Sequence, residues 1–301
     1  MALDWLSVAR VGSALAFLCI ASWQDFKTRL VEDFLWMAMG VVGLVFLVGE
    51  MIHMEVPSNQ YLLLFPIILL FYDPYIDREP LYEKGEACWP AIGGFVLAGV
   101  VAAIAIYLGG LTRLLVIPTM FLLIYLLYFS NVIHGGADAK ALMAICLLVP
   151  WYPHLPGLPL ASIPSNISSD LVDISFPFVL LVLMMGSAVV LLLPLYNLAV
   201  NAARRDLAFP MCLFGRRIPV AEAEKSLVWP MERLADAKLV RVIFPKRGRN
   251  LKKDYEDLKA AGIEKVWVTP KIPFIVPLTI GLALATVLGN VVFWLGEKLA
   301  G

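Results

Sequence analysis

Eight stretches of this chain are apolar for long enough to matter to a bilayer, near 5–24, 34–52, 59–73, 89–108, 113–133, 139–152, 175–200 and 272–297. Crossing the hydrocarbon core takes roughly 20 apolar residues in a helix. Only a helix or a closed barrel satisfies its own backbone polar groups there. The third and sixth stretches are short, so the expectation is an all-α polytopic membrane protein of six to eight transmembrane helices. Composition points the same way. Apolar AVILMFWYC residues make up 60% of the chain, 16% is charged and mean hydropathy is +0.82; an ordinary globular chain has roughly 45–50% apolar residues. Collagen-like, disordered and small disulfide-rich classes are excluded on these figures. The first run lacks a basic n-region and an A-x-A-like cleavage site, so it is expected to stay as a helix.

Charge divides the chain. Lys/Arg and Asp/Glu balance at 24 each, yet residues 204–271 hold 16 of the basic and 9 of the acidic residues, leaving 8 and 15 for the remainder. The expected organisation is a membrane core over 1–200, a basic cytoplasmic α+β module over 201–271, and a C-terminal transmembrane helix over 272–301. Within the module, Met211–Val220, Lys238–Phe244 and Glu264–Thr269 read as strands and Asn250–Ala261 as an amphipathic helix. The basic surplus does not indicate nucleic acid, because aromatic–basic alternation and any recognised binding motif are missing. It suits a module beside anionic lipid headgroups.

Lys27 and Arg29, Arg78 and Lys84, Lys140 and the basic segment follow alternate runs, while loops 53–58 and 153–174 hold no Lys or Arg. Arg113 is the exception on that side. The positive-inside rule then puts the N-terminus outside and the basic loops in the cytoplasm. The outer loop carries Asn166-Ile167-Ser168, a glycosylation acceptor pattern that is common by chance. Cys19, Cys88, Cys146 and Cys212 have no Cys or His at ligand spacing and read as small hydrophobes, so neither metal nor cofactor is expected. Three glycines in Gly93–Gly99 suit close helix packing.

Ionisable groups at a membrane are costly and therefore informative. Asp25, Asp73 and Asp138 each begin or end an apolar run on the expected cytoplasmic side. Two carboxyls that meet there could share a proton and activate water. Asp138 follows Gly135, Gly136 and Ala137, and the glycines permit positive φ and close approach of another backbone. A plain helix cap by Asp138 explains the same residues equally well. His134 reads as a turn residue. A transporter is the contrasting reading, but no pair of corresponding broken helices supports it, and the carboxylates lie at one face instead of midplane.

Taken together, two segments are more specific. Asp25, Lys27, Arg29, Val31, Asp33 and Trp36 form one string after the first run. Gly135, Ala137, Asp138 and Lys140 form another at the start of the sixth. The pair resembles the motifs of the archaeal preflagellin peptidases, grouped with the type IV prepilin peptidases as GxGD-type membrane aspartyl proteases. Val228–Glu232 and Val266–Lys271 resemble the C-terminal region of the archaeal branch. The resemblance implies Asp25 and Asp138 as catalytic aspartates, with Gly135, Gly136, Ala137, Lys140, Lys27, Arg29 and Asp33 supporting them. It implies archaellin or type IV pilin-like precursors as partners, at the cytoplasmic face of the plasma membrane. Glu32 stands where many relatives have Pro. The runs 59–73 and 89–108 form an extra pair relative to a six-helix pattern, which keeps both aspartates on one side. The bacterial four-cysteine domain is missing, so N-methylation is not expected. Tyr72-Asp73 offers a presenilin-like alternative in which Asp73 pairs with Asp138.

Overall fold

A computed structural model describes residues 2–76, 82–83, 86–87, 89–109, 112–133, 135–161, 168–235, 238–243, 250–271 and 273–300. Arg78, Lys84, Cys88, His134 and Asn166, all used in the sequence reading, lie outside the described residues. The chain is mostly helical and divides into two compact units, one of Met1–Ser187 with Phe274–Gly301 and one of Ala188–Pro273.

The first unit begins with α1 (Ala2–Thr28) and α2 (Asp33–His53). A 3-10 segment, Ser58–Leu63, leads into the nine-residue α3 (Leu64–Tyr72). Pro74 has no N–H to continue the ladder, and the chain tightens into a 3-10 turn, Asp73–Tyr75. A two-residue antiparallel pair follows, β1 (Tyr82–Glu83) and β2 (Glu86–Ala87), then α4 (Trp89–Gly109), α5 (Val116–Phe129), α6 (Gly136–Leu148) and the short α7 (Ser169–Ser175). Helix α8 (Phe178–Ala203) runs across the boundary into the second unit. Among the described residues, four helical stretches are long and apolar enough to cross a membrane: Trp5–Thr28, Asp33–His53, Ile92–Gly109 and Phe178–Ala203.

In the second unit come α9 (Met211–Phe214), β3 (Arg216–Pro219), α10 (Val220–Lys225), β4 (Val228–Pro230), β5 (Glu232–Ala235), β6 (Lys238–Arg241), α11 (Leu251–Ala260) and β7 (Lys265–Pro270). The strands form an antiparallel sheet ordered β3-β7-β4 and a separate β5-β6 hairpin. Central β7 is buried on both faces, Val266 and Val268 against Ile218 and Leu258, Trp267 against Met211 and Met231. The expected strand over Met211–Val220 starts instead as the helical turn α9. Buried Asn201 accounts for this, because its amide donates to the carbonyls of Cys212 (2.9 Å) and Gly215 (2.7 Å) and so closes the turn.

The chain then returns to the first unit as α12 (Ile275–Leu288) and α13 (Val291–Ala300). This corrects the single C-terminal helix expected over 272–301. Gly289 has φ +73°, and the N–H groups of Leu160 and Ala161 donate to the carbonyls of Val287 and Leu288, each at 2.9 Å. Those bonds use up the end of α12, and only glycine takes that φ at no steric cost.

Helix α6 is the centre of the first unit, with Ala141, Ala144, Ile145, Leu147 and Leu148 fully buried or nearly so, between α2 and α5; α1 packs on α12, and α3 on α4. Close approach comes at other glycines than those expected. A Cβ at Gly43 would stand 3.1 Å from the backbone of Leu147, and one at Gly281 2.6 Å from the carbonyl of Val182. Gly93 and Gly99 instead face open space, and of the three glycines in Gly93–Gly99 only Gly94 meets a neighbour, Leu69, at an ordinary 3.8 Å.

Candidate active site

Short connections bring both motifs to one end of the first unit. Helix α1 ends at Thr28 and α2 starts at Asp33. The Asp33 carboxylate accepts from Lys140 Nζ at 2.6 Å, tying the start of α2 to the first turns of α6. The same ammonium lies 4.8 Å from the centre of the Tyr75 ring, a cation–π contact that brings in the end of α3. Tyr72 donates its hydroxyl to the Met37 carbonyl (3.3 Å), and Tyr125 of α5 donates to Leu70 O (3.0 Å) and Asp73 Oδ2 (3.1 Å). Asp25, Asp33, Asp73 and Asp138 therefore share this end. Burial, with Asp33 nearby, pushes the Tyr75 phenol up, so it stays protonated.

Asp25 lies in the last turn of α1, half-buried. The backbone of Ile275, the first residue of α12, lies near its carboxyl. A helix N-terminus is a natural seat for a carboxylate, since free N–H groups and the macrodipole both favour negative charge. This neighbour could not be read from the motif. A proline-flanked apolar run at 272–297 announces a helix start, but nothing in it names Asp25 as what the start faces.

Asp138 is the third residue of α6, whose N-cap is Gly135. The expected positive φ does not occur, since Gly135 is extended at φ −105°, ψ 126° and Gly136 opens the helix. The N-cap position is Gly135, and Asp138 lies in the first turn. Gly135 matters for another reason: the space a Cβ would fill there is taken by the Asp138 carboxyl, with Cγ 2.8 Å away and Oδ2 overlapping. The carboxyl folds back over the glycine, and any side chain at 135 pushes it out. At Gly136 a Cβ would meet only the Tyr128 hydroxyl, at an ordinary 3.7 Å. Ala137 is partly buried between them.

Lys27 is exposed and lies 4.5 Å from the Trp23 ring centre. Arg29 adopts φ +60°, which is uncommon for a side-chain-bearing residue. Its turn is braced: Thr28 Oγ1 donates to Gln24 O (2.9 Å), and Glu32 N–H donates to Gln24 Oε1 (3.2 Å). Trp36 is fully buried.

The opposite end is built differently. Arg10 Nη2 donates to Glu50 Oε2 at 2.7 Å, with the side chains only 5% and 10% exposed, and Trp151 Nε1 donates to the same oxygen at 3.3 Å. Arg113 lies 4.0 Å from the Trp151 ring centre and pairs with buried Asp173 at 2.7 Å. A cavity of about 220 Å³ opens between Leu47, Glu50, Met51, Arg113 and Trp151.

Residues 208–291 match the family described as Archaeal Peptidase A24 C-terminus Type II, a span that includes both late stretches singled out in the sequence. The preflagellin peptidase of Methanococcus voltae is 26% identical over 278 residues, covering 91% of this chain and 92% of the relative. Those of Methanococcus maripaludis and Methanocaldococcus jannaschii are 26% and 25% identical, with 91% of this chain covered in each case. The resemblance carried by the two aspartate motifs thus extends along nine-tenths of the chain.

Proposed function

We propose that this chain is a membrane aspartyl peptidase that removes the short basic leader from archaellin or type IV pilin-like precursors. The observation that carries it is the arrival of Asp25 and Asp138, distant in sequence, at one end of one helical unit, each beside a helix N-terminus. The similarity to preflagellin peptidases supplies the substrate class. In this mechanism the two carboxyls share one proton. The ionised carboxyl takes a proton from water as the water oxygen bonds to the scissile carbonyl carbon. The protonated carboxyl hydrogen-bonds the oxyanion, then the leaving nitrogen is protonated as the C–N bond breaks. The pair titrates as a unit.

The peptidase core is the helical unit with both motifs, and the sheet module is its inserted companion. Lys27, Arg29 and Lys140 at the aspartate end support a cytoplasmic location for that end in a multi-pass protein of the plasma membrane. A cysteine introduced at Gly157 should then react with an impermeant thiol reagent from outside, and protection there would reverse the orientation. Asp73 gives the second reading, because it lies at the same end and accepts from Tyr125. Purified protein mixed with a precursor peptide tests both. Cleavage at the leader junction by wild type and Asp73→Asn, with none by Asp25→Asn, supports the Asp25–Asp138 pair. Cleavage by Asp25→Asn with none by Asp73→Asn supports the presenilin-like pairing, and cleavage by neither wild type nor any variant removes the peptidase reading.

A further inference from the structure

Arg29 combines three features that a solvated loop cation does not need. First, it holds a left-handed backbone, φ +60°, where glycine would be at ease and a long side chain is not. Second, the turn around it is pinned. The Arg29 N–H closes the last turn of α1 on Asp25 O (3.1 Å), the Leu30 N–H donates to the Thr28 hydroxyl (3.3 Å), and Gln24 reaches Glu32 N–H. The Arg29 backbone is therefore held one turn beyond Asp25, and its side chain is near enough to interact with that carboxyl. Third, its Nε and Nη1 are buried and have no hydrogen-bond acceptor among the described residues. Buried polar groups are almost always partnered, and donors on a charged group are the most expensive to leave unmet.

We infer that Arg29 is a substrate-binding residue whose guanidinium takes main-chain carbonyl oxygens of the extended precursor segment beside the scissile bond. The chemistry fits the acceptor. A guanidinium is a rigid, always-charged donor that suits planar oxygen acceptors. A carbonyl satisfies it without bringing a second carboxylate next to Asp25. Main-chain recognition also suits an enzyme that handles precursors differing in side chains, since every peptide presents the same oxygens. Lys27, two residues earlier, cannot substitute, because it is exposed and engaged with the Trp23 ring. The inference rests on the aspartyl-peptidase reading, in which the substrate reaches Asp25.

The discriminating substitution is Arg29→Gly. Glycine accepts φ +60° more readily than arginine, so the turn is preserved or relaxed while the guanidinium is removed. If Arg29 served only the loop, Arg29→Gly would be harmless. As a substrate ligand its loss should raise KM for a precursor peptide about tenfold or more, with kcat changed much less. Arg29→Lys should recover only part of this, and guanidinium ion added to Arg29→Gly should restore binding. A backbone-altered precursor in which esters replace the amides flanking the cleavage site, with their weaker carbonyl acceptors, should lose less against Arg29→Gly than against wild type. Wild-type KM and kcat in Arg29→Gly would overturn the inference, as would a loss confined to kcat. Failure of the underlying reading is recognised separately, because Asp25→Asn would then still cleave.

Discussion

The two ends of the helical unit solve the problem of charge in an apolar bundle in opposite ways. At the Arg10 end, charge answers charge. Glu50 is clamped by Arg10 and Trp151, and Arg113 by Asp173 and the Trp151 ring. Both guanidinium–carboxylate contacts there are 2.7 Å long. At the other end Asp25 faces the start of α12, and Asp138 lies in the first turn of α6, folded over Gly135. Backbone dipoles hold a carboxyl in place with far less bias than a full counter-charge. Asp33 is matched to a cation there, Lys140. One end is a lock; at the other, Asp25 and Asp138 lie in terminal turns of helices.

The most forceful way to break this contrast is to neutralise the proposed pair. Asp25→Asn and Asp138→Asn should each lower precursor cleavage by roughly 10²–10⁴-fold, the usual worth of positioned acid–base groups, without altering thermal unfolding in detergent. Activity within a few-fold of wild type in either variant would strip that end of its assigned role.

The lock should answer to the opposite readout. Glu50→Ala leaves Arg10 as a buried, uncompensated charge and should cost about 3–5 kcal/mol of stability. Activity per folded molecule should stay near wild type. Replacing both partners together, as Arg10→Met with Glu50→Leu, should be far milder than the single change. An equal loss in single and double variants would mean that volume, and not charge, decides that end.

Gly135 offers a finer test. Gly135→Ala must displace the Asp138 carboxyl, and Gly135→Val must displace it further. Cleavage is therefore expected to fall by up to about 100-fold for Val and by less for Ala, the scale of a misplacement near 1 Å. Folding should hold, because the atoms that must yield are the end of one side chain. Gly136→Ala should remain active. Full activity of Gly135→Val would separate the carboxyl's position from its function. The smallest effect is expected at Lys140→Met. Asp33 is 54% exposed, so the pair contributes at most about 1 kcal/mol to stability, and Lys140→Arg should retain it.

Much of this was legible in the sequence, for identifiable reasons. Alternating basic and uncharged loops and the two charged strings mark α1, α2 and α6 and the residues at their ends. The helix over Leu251–Ala260 and the strand over Lys265–Pro270 follow from periodicity and the Asn250 cap. Hydropathy alone could not show where Gly289 breaks the last run, because that break depends on Leu160 and Ala161, far away in the chain. Nor could it distinguish Gly43 and Gly281, which meet backbone, from Gly93 and Gly99, which meet nothing. The reason for Gly135 was misread because glycine has two uses, unusual φ and missing volume, and a sequence does not say which one a site employs.

The return of the chain after the inserted sheet module has a consequence for biosynthesis. Asp25 is made early, and the Ile275 backbone near it is made 250 residues later. At about 5–20 residues per second, roughly 10–50 s separate the two. For the last 137 residues of that interval the nascent chain carries both aspartates but not the helix start beside one of them. A protein ending at Lys271 would be in the same state permanently. Completion of the proposed site is thus tied to completion of the polypeptide, and a partly translated copy enters the bilayer without its finished cutting edge.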